Sequence, residues 1–229
     1  MPLKNSIKIY VKNGIYHIYN RGVEKRAIFL DEQDYKVFLN LLKRYLLPFD
    51  KNDRFDRVGP CQIDRLDRVR PCWESELYKQ IRLFCFCLMP NHFHLMIQQS
   101  SERAITEFMK RLTNAYVGYF NEKYNRKGMG PLFQGIYKAV LIKDESQFLY
   151  LPYYIHFHNP AELYKNENEE SLIKKVQNYS WSSYGDYLGR CNTKWIYKKG
   201  IMEQFIEVEK MRPDIETIHR ILGPVAIDY

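Results

Sequence analysis

Two histidines separated by a single apolar residue are the strongest chemical signal in this chain. His92 and His94 flank Phe93 within the stretch Leu-Met-Pro-Asn-His-Phe-His-Leu-Met-Ile. Because side chains two residues apart on a β-strand point to the same face, the two imidazoles would lie side by side. Neutral imidazole is the commonest metal ligand among protein side chains. The spacing therefore predicts a pair of metal ligands, and its alternative is a strand that exposes two solvated histidines.

A tyrosine and a further histidine occupy one face of a predicted helix later in the chain. Tyr154 and His158 belong to Tyr-Tyr-Ile-His-Phe-His-Asn-Pro, and their spacing of four would stack them in a helix. If that face meets His92 and His94, three protein ligands with an open position would describe a catalytic metal site. The phenol would be a candidate nucleophile, although its ordinary pKa of about 10 requires help from a metal or a base. A divalent cation would also orient a phosphoryl group for in-line attack.

The elements that must position these residues follow from hydrophobic periodicity, helix caps and prolines. Asp31 can cap the first helix and Asp144 the last, while Pro152 should bend the last helix or mark its true start. The pattern predicts, in order, a strand and turn over 15–22, a helix over 31–47, strands within 81–98, a helix over 101–124, a strand over 137–142 and a helix over 144–159. This order fits an α+β fold with an antiparallel sheet and helices packed on one face.

The composition favours a nucleic-acid partner in a reducing compartment. The net charge is +8 with 35 Lys and Arg, and the 19 Tyr, 13 Phe and 3 Trp suit stacking on unpaired bases, although most of these rings will be core. No run of 18 apolar residues and no apolar leader occur, so neither a membrane span nor a secretory signal is predicted. Five cysteines without a Cys-x-x-Cys spacing indicate a cytoplasmic protein without a disulfide framework.

The segment Met-Pro-Asn-His-Phe-His around His92 and His94 resembles the single-tyrosine HUH transposases, in which U is a hydrophobic residue. The resemblance is especially to the REP-associated tyrosine transposases of bacteria, which are IS200-like. Further segments match in chain order: His-Ile-Tyr-Asn-Arg-Gly at 17–22, Leu-Phe-Gln-Gly at 132–135 followed by Tyr-Lys at 137–138, Tyr-Ile-His at 154–156 followed by Asn-Pro at 159–160, and Trp-Ser-Ser-Tyr at 181–184.

The resemblance implies a ferredoxin-like (RRM-like) sheet and a metal-dependent reaction on single-stranded DNA. Mg²⁺ or Mn²⁺ would be held by His92 and His94, and Tyr154 would attack a DNA phosphate to give a 5′-phosphotyrosine and a free 3′-OH. Hairpin-containing DNA is the expected substrate, and transposition or recombination is the expected process. Related transposases form dimers, whereas REP-associated ones can act alone, so a homodimer is one of two expected states.

The third metal ligand is where the chain departs from the family pattern. The family carries a Gln or Asn about one helical turn after the tyrosine, within Tyr-Ile-His-x-Asn-Pro. Here one extra residue stands before Asn-Pro, so the fourth residue after Tyr154 is His158 and Asn159 comes next. Helix geometry favours His158 as the third ligand, with Asn159 as the alternative. A second departure is Ile136, where relatives usually carry Arg.

Other residues have expected supporting roles. His17 is expected to be a strand residue, His156 a core or DNA-contact residue, and Asn91 either a turn residue or one that orients the histidine strand. Candidates for phosphate contacts, each with solvated surface charge as its alternative, are Arg21, Arg111, Arg126, Lys127 and Lys138. The expected domains are an HUH nuclease and transposase domain over 1–160, with an insertion loop at about 50–78, and a C-terminal extension over 161–229 packed on the same domain.

Three classes of function are compatible with parts of this pattern. The first is a DNA strand transferase or nickase with a tyrosine nucleophile. The second is a domesticated, non-catalytic nucleic-acid-binding protein on the same fold, although simple binding requires neither the histidine pair nor Tyr154. The third is a nucleotide hydrolase of the histidine-triad type, which is disfavoured because Met96 stands where a third alternating histidine is needed.

Overall fold

The sheet at the centre of the protein has four antiparallel strands. A computed structural model describes residues 8–48, 76–126 and 128–202. The strands are β1 (Ile15–Arg21), β2 (Ile81–Met89), β3 (His92–Gln99) and β4 (Lys138–Leu141), in the order β2-β3-β1-β4. This order is that of a ferredoxin-like sheet, so the predicted α+β class and sheet type are confirmed.

Helices connect the strands and extend the chain beyond them. The α-helices in chain order are α1 (Glu32–Leu46), α2 (Leu77–Gln80), α3 (Ala104–Lys123), α4 (Glu145–Tyr153), α5 (Asn159–Leu163), α6 (Glu169–Gln177), α7 (Tyr184–Tyr187) and α8 (Lys199–Met202). A 3-10 turn covers Val23–Lys25, and a π-helical turn over Tyr154–His158 joins α4 to α5. In the part of the chain that the structure describes, no helix has the length and apolarity needed to span a membrane.

The two faces of the sheet differ because β1 and β3 alternate in polarity. On one face, apolar side chains such as Ile18, Phe93 and Leu95 form the main core under α1 and α3. On the other face, alternate positions carry the histidines, and the tyrosine helix packs over the neighbouring Cys87 and Met96. The period of two thus separates the core from the site. Helices lie against both faces of the sheet, which corrects the prediction of one covered face, because the tyrosine helix packs over the face that carries the histidines.

The first helix begins where its cap was predicted. The Asp31 carboxylate accepts the Asp34 backbone N–H, and the Asp34 carboxylate accepts the Asp31 backbone N–H, which is a reciprocal capping box. Asp34 is buried and also pairs with Lys123 Nζ at 2.8 Å. This ion pair connects the start of α1 to the end of α3 and holds the two helices together on the core face.

The predicted helix over 144–159 is present but irregular. Asp144 caps it, since its carboxylate accepts the Gln147 backbone N–H at 2.8 Å. Pro152 lies inside α4 and does not mark the helix start. The π-helical turn follows it, closed by the Asn159 N–H donating to the Tyr154 carbonyl, a spacing of five rather than four. Pro160 comes next and has no N–H for an α-type bond to the His156 carbonyl.

Residues after the tyrosine helix cover the open edge of β2. The Leu88 N–H donates to the Trp181 carbonyl at 2.8 Å, and the Ser183 N–H donates to the Phe86 carbonyl at 3.0 Å. These bonds satisfy backbone groups that an edge strand otherwise leaves open. The predicted division at residue 160 stays a prediction, as does the insertion at about 50–78, which lies almost wholly outside the described residues.

Candidate active site

Cross-strand pairing gathers the candidate residues on the polar face of the sheet. Tyr19 of β1 lies opposite His94 on one side and opposite Lys138 on the other. Arg21 lies opposite His92 one step further along the same strands. Because directly opposed residues share a face, two imidazoles, one phenol and two cationic side chains project from neighbouring positions of one surface.

The imidazole of His92 is held by the residue before it. Its Nδ1 lies 2.6 Å from Asn91 Oδ1, while Asn91 Nδ2 donates to the Lys25 carbonyl at 3.2 Å. An amide oxygen only accepts hydrogen bonds, so the His92 proton lies on Nδ1 and the lone pair on Nε2. Asn91 therefore orients the histidine strand, which was one of its two expected roles.

The imidazole of His94 is buried more deeply. Its Nδ1 lies 2.7 Å from His17 Nε2. Its Nε2 is buried and has no hydrogen-bond partner among the residues that the structure describes. Burial lowers the pKa of His94 well below its usual value, and the nearby His92 lowers it further. Burial likewise lowers the pKa of His92 to about 4, with a further contribution from the positive charge of Arg21. At neutral pH both rings are therefore neutral, which is the metal-binding form.

Tyr154 lies directly against the histidines of its own chain. Its side chain is 2% exposed, and its ring centroid is 5.7 Å from that of His94 and 5.8 Å from that of His17. The His158 ring also stacks on the Tyr154 ring, with centroids 4.9 Å apart. The helix carrying Tyr154 therefore meets the histidine strand as expected. Tyr153 instead stacks on Phe157 at 6.1 Å, away from the site.

The two candidates for a third metal ligand differ in environment. His158 is partly exposed and its Nε2 lies 3.6 Å from Glu162 Oε1. Asn159 is fully buried, and its Nδ2 donates to the carbonyls of Tyr154 and Ile155 at 3.2 and 3.4 Å. These bonds turn its Oδ1 away from the helix; that oxygen is buried without a hydrogen-bond partner in the described segments. Asn159 also raises the pKa of His92, opposing the larger effect of burial.

The π-helical turn explains why Asn159 reaches the site. In an α-helix the residue four positions after Tyr154 would lie beside it. The π turn contains one extra residue, so Asn159 at the fifth position donates its backbone N–H to the Tyr154 carbonyl, while the His158 ring still lies beside the Tyr154 ring at 4.9 Å. The departure from Tyr-Ile-His-x-Asn-Pro is thus absorbed locally, within five residues.

The donor set of this site fits a divalent cation. Across residues 8–48, 76–126 and 128–202, no three His, Cys, Asp or Glu side chains are grouped to hold a metal ion. The three imidazoles of His92, His94 and His158 therefore do not form such a group. The buried acceptors His94 Nε2 and Asn159 Oδ1 would be satisfied by a cation. The amide oxygen suits Mg²⁺ and Mn²⁺, whereas imidazole nitrogens suit zinc, iron, nickel and copper ions.

A buried histidine and serine anchor the tyrosine helix to β2. His156 Nε2 lies 2.7 Å from Ser183 Oγ, and the Phe86 N–H donates to the same oxygen at 2.8 Å. Burial lowers the pKa of His156 to about 3, so the ring is neutral. His156 was expected to be either a core residue or a DNA-contact residue, and the structure places it in the core. Ser183 was not foreseen as its partner, although it belongs to the Trp-Ser-Ser-Tyr segment that the sequence had singled out.

The five basic residues expected to contact phosphates do not share one surface. Arg21 and Lys138 are half-buried and lie beside the histidines and Tyr19, with Lys138 Nζ 5.8 Å from the Tyr19 ring centre. Arg126 packs its guanidinium over Phe120 at 5.5 Å, beyond the end of α3. Lys127 lies outside the described residues.

Arg111 is a correction to the predicted set. Its side chain is 5% exposed and its Nε donates to Glu107 Oε1 at 2.7 Å. The helix turns this position towards the core, and the guanidinium stays satisfied by a carboxylate on the next turn of α3. A DNA phosphate could not reach it without breaking this pair, so Arg111 is not a phosphate contact in this structure.

Comparisons with known proteins agree with the fold and with the predicted family. Residues 70–158 match the family described as Transposase IS200 like, which confirms the predicted resemblance; no curated protein matches the sequence. The chain is similar to the structure of a REP-associated tyrosine transposase bound to a REP hairpin, at 12% identity and a TM-score of 0.51, covering 85% of this chain and 91% of that one. A tRNA(His) guanylyltransferase from Saccharomyces cerevisiae is similar at 10% identity and a TM-score of 0.37, and the match covers 91% of this chain and 83% of that one. At 12% identity the first likeness shows the shared fold, and the second carries no argument.

Proposed function

We propose that this chain, whose residues 70–158 match the family of IS200-like transposases, cleaves single-stranded DNA and transfers the strand through a covalent link to Tyr154. The observation that carries the proposal is the buried phenol of Tyr154 at 5.7 Å from His94, on the same surface as two cationic side chains. Nucleic-acid binding alone would use the two cationic side chains but would not need a buried phenol packed against His94.

The reaction is a phosphoryl transfer in which the number of phosphoester bonds is conserved. The Tyr154 oxygen forms a bond to phosphorus while the bond from phosphorus to the 3′ oxygen breaks. The phenolic proton ends on the departing 3′ oxygen, which leaves a free 3′-OH and a 5′-phosphotyrosine. The reverse step, from a different 3′-OH, joins the strand to a new end. Tyr154, whose ring contacts those of His94 and His158, needs to be positioned in line with the scissile bond, and the loss of its proton needs help from a metal or a base.

We further propose that Mg²⁺ or Mn²⁺ is held by Nε2 of His92, Nε2 of His94 and Oδ1 of Asn159. This set reverses the order of preference that helix spacing gave for the third ligand, and His158 becomes the alternative. Support comes from the buried acceptors on His94 and Asn159 and from the π turn. A bound divalent cation would polarise the phosphoryl oxygens and orient the phosphate for in-line attack.

The DNA is proposed to bind across the face that carries Arg21 and Lys138. Both side chains lie next to the histidines in the sheet register, where they can contact phosphates on either side of the scissile one. Arg126 and Lys127 stay predictions. The structural neighbour is bound to a REP hairpin, so hairpin-bearing DNA is the substrate class proposed for this chain. The cytoplasmic location and the homodimer also stay predictions.

The test is the formation of a covalent adduct. Purified protein, Mn²⁺ and labelled single-stranded DNA with a hairpin should give an SDS-resistant protein–DNA band. Tyr154→Phe should abolish the band and leave DNA binding measured by fluorescence anisotropy unchanged, because the variant keeps the buried ring. Tyr153→Phe is the matched control and should keep the band. DNA binding without a band in the wild type would favour a non-catalytic binding protein, and a band that survives in Tyr154→Phe would refute Tyr154 as nucleophile.

A further inference from the structure

A third histidine, His17, contacts the histidine pair from the neighbouring strand. It lies on β1, is buried, and its ring lies edge to edge with that of His94, with centroids 5.0 Å apart and planes inclined by 21°. Its Nε2 is 2.7 Å from His94 Nδ1. The contact is therefore a direct hydrogen bond between two imidazoles in the interior of the protein, where no water competes for it.

The direction of this hydrogen bond decides which nitrogen of His94 can bind a metal. A neutral imidazole carries one proton, on either Nδ1 or Nε2. If His94 Nδ1 donates to His17 Nε2, the lone pair of His94 lies on Nε2. If His17 Nε2 donates instead, the His94 proton lies on Nε2 and blocks it. Only the first arrangement gives His94 an Nε2 that can act as a ligand.

The other histidine of the pair already has this arrangement. The His92 proton lies on Nδ1 because its partner there is the amide oxygen of Asn91. Metal-binding histidines almost always donate their second ring nitrogen to an acceptor, which fixes both the tautomer and the orientation of the ring. His17 occupies for His94 the position that Asn91 occupies for His92.

We propose that His17 is a positioning residue that accepts the His94 Nδ1 proton and so keeps Nε2 of His94 as a metal ligand. The inference rests on the proposed function, because it assumes that His92 and His94 hold a cation. The proposal gives His17 a role in metal binding that its position on a strand did not predict. His17 does not bind the metal itself, since its Nε2 is engaged by His94.

Two substitutions separate acceptance of the proton from simple packing. His17→Leu fills a comparable volume without an acceptor, and His17→Gln keeps an acceptor oxygen at a similar reach. Mn²⁺ binding to the full chain is measured by isothermal titration calorimetry without DNA. Loss of a partner of this kind typically weakens metal affinity about 10–100-fold, so His17→Leu should bind that much more weakly, whereas His17→Gln should bind nearly as tightly as the wild type.

The tautomer can be measured directly in the unsubstituted protein. In ¹⁵N-labelled, metal-free wild type, the ring nitrogen shifts of His94 should show the proton on Nδ1. A proton on Nε2, or a His17→Leu variant that binds Mn²⁺ as tightly as the wild type, would overturn the role of His17. If His17→Leu does not fold, the nitrogen shifts of the wild type still decide. If the wild type binds no Mn²⁺, the metal part of the proposed function fails, and the tautomer measurement reports on His17 separately.

Discussion

Replacing Asn159 by alanine distinguishes the two candidates for the third metal ligand. The substitution removes the proposed ligand oxygen and two hydrogen bonds from Nδ2, at 3.2 and 3.4 Å. Each hydrogen bond contributes roughly 0.5–1.5 kcal/mol net, and their lengths favour the lower half of that range. We therefore expect a loss of about 1–2 kcal/mol in the free energy of unfolding, or about 2–8 °C in Tm for a chain of this size.

The matched control is His158→Ala. Its contact with Glu162 is 3.6 Å long and lies between side chains that are 25% and 45% exposed, so its loss should cost at most about 1 kcal/mol. The decisive quantity is the rise in Tm on adding Mn²⁺. At about 100 times Kd a bound ion stabilises by about 2.7 kcal/mol, which corresponds to roughly 5–10 °C. This rise should persist in His158→Ala and disappear in Asn159→Ala.

A deletion variant tests the part that the π turn plays. Removing His158 restores the spacing Tyr-Ile-His-x-Asn-Pro, and the asparagine then follows Tyr154 by four residues, as in a regular α-helix. The Mn²⁺-dependent rise in Tm should therefore survive the deletion. The reasoning would be refuted if Mn²⁺ no longer raised Tm in the deletion variant and in His158→Ala but still raised it in Asn159→Ala. His158 would then be the third ligand.

Two further predictions concern pH and DNA. Burial lowers the pKa of His17 and of His156 to about 3, so below about pH 6.5 the unfolded chain binds protons that the folded chain excludes. The free energy of unfolding should therefore fall from about pH 6.5 towards pH 4, by up to about 1.4 kcal/mol per pH unit for each group; a flat profile in urea titrations would contradict this. Arg21→Gln and Lys138→Gln should each weaken single-stranded DNA binding and reduce the slope of log K against log salt by about 0.7. Lys110→Gln, at an exposed position of α3, should leave the slope unchanged in the same anisotropy assay, and equal losses in all three variants would argue against a localised DNA site.

Strand periodicity was sufficient to predict the side of the site that the sheet supplies. The period of two placed His92 and His94 on one face and Phe93 in the core, as the structure has them. Cap chemistry was equally local: Asp31 begins α1 because its carboxylate accepts a nearby N–H. Such features depend on neighbours within a few residues, so the sequence contains the information directly.

Features that depend on tertiary contacts were predicted less well. Helix spacing favoured His158 as the third ligand because it assumes an α-helix throughout, whereas the chain forms a π turn between two prolines, and the choice between His158 and Asn159 stays a prediction. Arg111 was expected at the surface because of its charge, yet its position on α3 faces inward. His17 had no visible role because its partner His94 is distant in sequence and becomes adjacent only when β1 pairs with β3.

The three proposed ligands share an arrangement that would favour the binding of a cation. Each has its other polar atom engaged on the far side: His92 Nδ1 by Asn91, His94 Nδ1 by His17, and Asn159 Nδ2 by backbone carbonyls of its own helix. With the Nδ1 protons of His92 and His94 held in this way, the three proposed ligand atoms are all hydrogen-bond acceptors. Their partial negative charges would repel one another unless a cation lay between them.

The electrostatic balance of the site points to the phosphate as the missing anion. All three proposed ligands are uncharged at neutral pH, and the positive charge of Arg21 is near enough to lower the pKa of both His92 and His94. A dication held there gains no carboxylate from these three residues, so its charge is left for an incoming anion to balance. A DNA phosphate bound in the proposed position would supply that charge beside the buried phenol of Tyr154. We infer that metal and DNA bind to this surface cooperatively, each supplying the charge that the other lacks.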